Sequence, residues 1–193
     1  MDAKCATSAA EACISLTEGE IMQGRFRHNP DVTLADYLEI ISRKTASIFQ
    51  QGARTAAYLA GASDKLVEAM ADCGFNVGMT FQVVDDLLDI EGDEERFGKP
   101  IGIDLRDGNP SLPLVLAIGR DASLADVFAR RELTAEEIDA ARMRLRASGV
   151  IPEVRRMAAE YGGRARQSLL LLPPSTDKDQ LLALIDQLLD RAV

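Results

Sequence analysis

The chain has 193 residues, 47% hydrophobic and 5% aromatic, with a formal net charge of −9. That is enough apolar material for one sizeable core, and the acidic balance argues against nucleic acid or an anionic membrane surface as the main partner. With no tryptophan and many Ala and Leu residues, helices are favoured over sheets.

Ala3 to about Met22 reads as a first helix that breaks near Gly24, with Ile14, Leu16, Ile21 and Met22 among small residues that suit close packing. Phe26 to Val32 is a loop marked by Asn29-Pro30, and His28 within it is expected at the surface. Thr33 to Ala60 predicts a long helix, with Thr33 as N-cap and Asp36 in the first turn. Leu34, Tyr37, Leu38, Ile41, Ile48 and Phe49 recur at helical spacing, and Arg43-Lys44-Thr45 interrupts that apolar face. Gly61-Ala62-Ser63 ends it. A further helix follows from about Asp64 to Asp89, in which Gly74 and Gly78 are expected to permit a close helix crossing or a bend.

The end of that helix is the most informative stretch. Phe81, Val84, Leu87 and Leu88 form its apolar side, while Gln82, Asp85, Asp86 and Asp89 fall on the other. Asp85 and Asp89, four apart, share a face with Gln82 one turn earlier. Like charges so placed destabilise a helix unless something positive sits beside them. Oxygen-only ligands without nearby His or Cys suit Mg²⁺, which keeps several waters and shares its other positions with substrate phosphates.

A glycine-rich, charged loop comes next, with Gly98-Lys99-Pro100, Gly102, Asp104, Arg106 and Asp107-Gly108. Glycines allow a backbone to approach a ligand, and Lys99 offers a mobile point charge to a phosphate. A helix restarts at Ser111-Leu112-Pro113 and runs to about Ile118. Thr134 to Glu137 is a capping box opening a helix to about Ala147. Pro152 starts another toward Leu172, closed by Pro173-Pro174, and Asp179 to Ala192 is a terminal amphipathic helix. The expectation is one all-α domain over residues 1–193.

The segments FQVVDDLLD (81–89), GKPIGIDLRDG (98–108) and SLPLVLA (111–117) together resemble the second aspartate-rich motif of the trans-isoprenyl diphosphate synthases, the polyprenyl synthetase family. Glu18-Gly19-Glu20 with Gln23, and the Lys44-Thr45 pair, resemble earlier elements of that family. The resemblance implies an isoprenoid-synthase helical bundle around a deep cavity, with two aspartate motifs facing each other across its mouth. It implies Mg²⁺ as cofactor, with an allylic diphosphate and isopentenyl diphosphate as substrates. Ionisation of the first would give an allylic cation, which the second attacks. By position, Asp85, Asp86 and Asp89 would hold metal, while Lys44 and Lys99 would bind diphosphate. Thr45 and Gln82 would turn oxygens toward the cation, Phe81 would lie near the isopentenyl end, and Asp104 would support the metal site or Lys99.

Two departures stand out. No second DDxxD and no arginine pair following one occur in the chain, so the family's first several helices are expected to lie outside it; Asn109 occupies a position where the resemblance often puts a lysine. The expected protein is therefore a prenyltransferase portion that is inactive or weak alone. It would act as a homo- or hetero-oligomer with a chain carrying the first aspartate motif. The alternative is a non-catalytic regulatory subunit of such a synthase. Cys5, Cys13 and Cys73 are odd in number and lack metal-ligand spacing, so buried or half-buried thiols in a reducing, cytoplasmic compartment are expected. Neither a signal peptide nor an apolar run long enough for a membrane anchor is visible.

Overall fold

The structure, a computed structural model, describes residues 2–92 and 101–191. Among these residues every regular element is helical: α1 Ala3–Phe26, α2 Leu34–Ile41, a π-helical turn Ser42–Ala46, α3 Ser47–Leu59, α4 Asp64–Glu91, α5 Ile103–Asp107, α6 Leu112–Ile118, α7 Ala122–Phe128, α8 Ala135–Ala147, α9 Ile151–Leu169 and α10 Thr176–Asp190. The all-α expectation holds. None of the helices is long and apolar enough to cross a membrane, among the described residues.

Helix α4 is the axis, packed along α3 and along α9. Its Val83, Val84, Leu87 and Ile90 are at most 1% exposed and join Tyr37, Leu105, Leu112, Phe128, Leu145 and Val154 in the main core. Burial of each such aliphatic side chain is worth about 1.5–3 kcal/mol, which fixes the phase of α4 and therefore where its aspartates point. A smaller cluster of Cys73, Ala165, Leu169 and Ile185 ties α4 to α9 and α10.

The close crossing expected at Gly74 and Gly78 is real. A β-carbon at Gly78 would lie 2.6 Å from the Ala46 Cα, and one at Gly74 would collide with the Phe49 carbonyl oxygen. Helix α1 approaches in the same way, since a β-carbon at Gly19 would stand 2.5 Å from the Lys44 nitrogen. The segment around Lys44 is thus pressed between α1 and α4.

Local signals explain several boundaries. Thr33 and Asp36 form a reciprocal capping box at α2, as Thr134 and Glu137 do at α8. Other expectations need correction. Helix α1 runs past Gly24 to Phe26. The single helix expected from Thr33 to Ala60 is interrupted by the π-helical turn that contains the Lys44-Thr45 pair, where Ser47 N–H reaches back to Ser42 O. Such one-residue insertions recur at functional sites. Helix α10 starts at Thr176, with Ser175 accepting from Lys178 N–H. Helix α7, capped by Asp121, was not anticipated. Cys13 is exposed rather than buried.

His28 is half-buried, not a free surface residue. Its backbone takes φ 56°, its N–H donates to Gly108 O at 2.9 Å, and its Nδ1 lies 3.3 Å from Phe128 O. A β-carbon at Gly108 would strike the His28 ring, and φ at Gly108 is 69°, so glycine is required there on both counts. This contact docks the end of α1 onto the turn after α5.

Candidate functional site

The carboxylates of α4 are not equivalent. Asp85 is exposed. Asp86 is 3% exposed, and both of its oxygens are engaged. Oδ2 accepts from the Tyr37 hydroxyl at 2.6 Å and from Leu112 N–H at 2.8 Å, and Oδ1 accepts from Gln82 Nε2 at 2.9 Å. Asp86 therefore caps α6 from a distance, which Ser111 does not do with its own hydroxyl; that oxygen is buried without a partner among the described residues. Asp89 caps α5, accepting from Ile103 N–H at 3.0 Å and Asp104 N–H at 3.2 Å. The glycine-rich loop thus contains a helix bracketed by Gly102 and Gly108, both left-handed.

Lys44 and Thr45 face this group from the π-helical turn. Lys44 Nζ donates to Gln23 Oε1 at 2.6 Å and pairs with Glu20 at 3.1 Å, while Thr45 Oγ1 donates to Gln82 Oε1 at 3.0 Å. The Gln82 amide is oriented by both neighbours, nitrogen toward Asp86 and oxygen toward Thr45. A cavity of about 30 Å³ opens among Lys44, Gln82, Asp86, Asp104, Gln23 and Tyr37. It has room for one water-sized group.

Of the residues singled out from sequence, Lys44, Gln82, Asp86 and Asp104 line this cavity. Thr45 joins through Gln82, and Asp89 through the backbone of Asp104. Phe81 lies outside its lining, with its ring 5.8 Å from that of Phe49 on the α3–α4 surface. Lys99 lies outside the described residues. Two participants were missed. Tyr37 looked like one more apolar stripe position, because periodicity records its ring and not its hydroxyl. Gln23 was noted within a motif, but nothing local showed that it would reach Lys44.

Burial pushes Asp86 up to about 6, only partly opposed by the Tyr37, Gln82 and Leu112 hydrogen bonds. Asp89 is raised by burial. Asp104 is raised well above the usual range by burial and by repulsion from Asp86, Asp89 and Asp85. Tyr37, buried beside Asp86, is raised too and stays a donor. Carboxyl groups with raised folded-state pKa values stabilise the fold below their ordinary value near 4, and that contribution is lost as pH rises through the folded value. The metal-free protein is therefore expected to melt at higher temperature near pH 5 than near pH 7.5, with Asp104→Asn flattening the dependence. Further acidification should destabilise, because Asp2, Asp36, Asp107, Asp121 and Glu137 are held low by hydrogen bonds and protonate last. Thermal denaturation across pH checks this; a melting temperature that rises from pH 5 to 7.5 would contradict it.

The donor set is carboxylate oxygen alone, which suits a hard cation such as Mg²⁺. Among the described residues no three His, Cys, Asp or Glu side chains are arranged to hold a metal by themselves. An ion here would need further oxygen ligands from outside the cluster. That fits Mg²⁺, which retains water and shares phosphate oxygens.

The described helices form an all-α bundle in which α4 carries the carboxylates and the π-helical turn carries Lys44. The polyprenyl synthetase family profile matches residues 2–144, and the chain belongs to that family. It is 32% identical over 188 residues to a geranylgeranyl diphosphate synthase of Methanosarcina mazei, covering 97% of this chain and 58% of that protein. It is 36% identical over 163 residues to solanesyl-diphosphate synthase 2, chloroplastic, of Oryza sativa subsp. japonica, covering 84% of this chain and 40% of that one. The chain thus spans about half the length of these curated relatives. Among solved structures, a polyprenyl synthase from Caulobacter crescentus CB15, complexed with calcium and isoprenyl diphosphate, superposes with a TM-score of 0.93 at 34% identity. That match covers all of this chain and 60% of the other.

Proposed function

We propose that this chain is the portion of a prenyl diphosphate synthase that carries one carboxylate wall of the active site, condensing an allylic diphosphate with isopentenyl diphosphate. The observation that carries this reading is the convergence of Lys44, Gln82, Asp86 and Asp104 on one cavity, with Asp85 exposed on the same helix. Asp85, with Asp89 behind it, would hold Mg²⁺ together with diphosphate oxygens. Asp86, buried and with Oδ2 already accepting two hydrogen bonds, acts as the member that fixes the helix and the Gln82 amide. Bound there, Mg²⁺ would supply positive charge where the departing diphosphate becomes more negative.

The chain's own residues do the rest. The Lys44 ammonium, steadied by Gln23 and Glu20, binds diphosphate oxygens as a point charge. Cleavage of the allylic C–O bond leaves its electron pair on the diphosphate and an allylic cation on the carbon side. The Thr45 and Gln82 oxygens, aligned by the hydrogen-bond chain through Asp86, stabilise that cation. The isopentenyl double bond attacks it, and a proton leaves to the diphosphate. Lys99 would add charge to the diphosphate, and Phe81 would lie near the isopentenyl end.

Residues 1–193 would form one all-α unit that acts in the cytoplasm. Ile14, Ile21 and Leu59 are 55–67% exposed, and an apolar groove of about 560 Å³ runs between α1 and α3. Such surfaces mark association, and the proposed partner is a chain bearing the first aspartate motif. Incorporation of labelled isopentenyl diphosphate, with and without that partner, tests the activity. Titration of Mg²⁺ with and without pyrophosphate tests the site.

A further inference from the structure

Gly19, Gln23 and Arg27 are spaced by four, so they form one stripe along α1 and its C-terminal cap. Each makes a contact in order along the site. Gly19 lets α1 lie against the Lys44 backbone, and Gln23 Oε1 accepts from Lys44 Nζ. Arg27 reaches the turn after α5, where its Nε donates to Asn109 Oδ1 at 2.9 Å. The register of that last contact is fixed by backbone, because the next residue, His28, donates its N–H to Gly108 O. Asn109 in turn donates its own N–H to Asp104 O at 2.8 Å.

Arg27 is therefore one residue removed from the carboxylate cluster, yet it is held there by a neutral amide. It forms no ion pair among the described residues; the nearby Asp107 is paired with Arg106 at 2.8 Å and feels the Arg27 charge only at longer range. Bonding to Asn109 uses Nε and leaves both terminal amino groups of the guanidinium on an exposed side chain. A planar fork with two free N–H₂ groups matches a phosphate edge. The chain is acidic overall, and this turn carries Asn109, which brings no charge of its own.

We infer that Arg27 is a diphosphate-binding residue, with Asn109 serving as the neutral arm that aims its guanidinium at the ligand. The inference rests on the diphosphate reading given above and adds a residue from a different element to that site.

The test is calorimetric titration of inorganic pyrophosphate in the presence of Mg²⁺ into the full chain and its variants. Arg27→Gln keeps an amide donor for Asn109 but removes the charge; it is expected to weaken binding on the order of tenfold, the scale of one charge-assisted hydrogen bond. Arg27→Lys should retain part of the affinity. Asn109→Lys should restore affinity in the Arg27→Gln background. In the wild-type background the same change should gain little, because the new ammonium would meet the guanidinium. A loss that Asn109→Lys fails to restore would give Arg27 only a structural part and overturn the proposal. Unchanged affinity in Arg27→Gln, with binding lost in Asp85→Ala, would overturn Arg27 alone and leave the site standing. Failure of the wild type to bind pyrophosphate with Mg²⁺ would overturn both.

Discussion

The 193-residue chain on its own is expected to incorporate isopentenyl diphosphate into product at least about 100-fold more slowly than the same chain supplied with the remainder of the family fold. The sequence holds a single DDxxD, at Asp85–Asp89. Arg130 of the Arg130-Arg131 pair is bound to Glu137. Displacing a reacting group by about 1 Å already costs roughly 100-fold, so a missing set of positioning charges should cost no less. Addition of a chain bearing the first aspartate motif, or fusion to it, should restore Mg²⁺-dependent turnover. Robust turnover by the isolated monomer would contradict a divided site. Association without restored turnover would favour the regulatory reading.

The second large effect concerns stability. Asp86→Ala is expected to cost about 3–5 kcal/mol, because it strands three donors at once. The Tyr37 hydroxyl and Leu112 N–H would be left in a buried site, and Gln82 would lose its anchor. Against a typical total of about 5–15 kcal/mol, that is a large share of the fold's stability. Asp86→Asn should cost less, since its oxygen can still accept from Tyr37 and Leu112. Its new amino group would face Gln82 Nε2, however, and force that amide to turn its nitrogen toward Thr45. Denaturant unfolding of the three proteins measures this; a loss below about 1 kcal/mol for Asp86→Ala would mean the network is not holding α2, α4 and α6 together.

What the sequence disclosed follows the range of the forces involved. The Thr33–Asp36 and Thr134–Glu137 caps are contained within four residues, and both could be read directly. Gly74 and Gly78 announced a close crossing because a glycine inside an apolar helix needs a packing reason. The clustering of Lys44 with the α4 aspartates came from the family resemblance, not from local periodicity. The division of labour among the aspartates was hidden. Spacing puts Asp85 and Asp89 on a face, but it does not show that Asp89 caps a helix 14 residues later. Nor does it show that Asp86 is buried against a tyrosine 49 positions earlier. Helix α5 was read as loop for the same reason: its cap is supplied by α4, beyond the reach of local capping rules. The π-helical turn lies where α1 presses at Gly19, a tertiary contact that local periodicity does not record.

The central claim, that the exposed end of this carboxylate cluster binds Mg²⁺ through a shared diphosphate, is tested most directly by Mg²⁺ titration with and without pyrophosphate. Asp85 is exposed and has no structural hydrogen bond among the described residues, so Asp85→Ala removes a ligand without unsettling the fold. Asp89→Ala would also uncap α5, at about 1 kcal/mol, and serves as the partner variant. The wild type should bind Mg²⁺ weakly alone and markedly more tightly once pyrophosphate oxygens replace water. Asp85→Ala should lose most of that pyrophosphate-dependent gain, and the double variant all of it. Equal pyrophosphate-dependent Mg²⁺ binding by wild type and both variants would contradict the site.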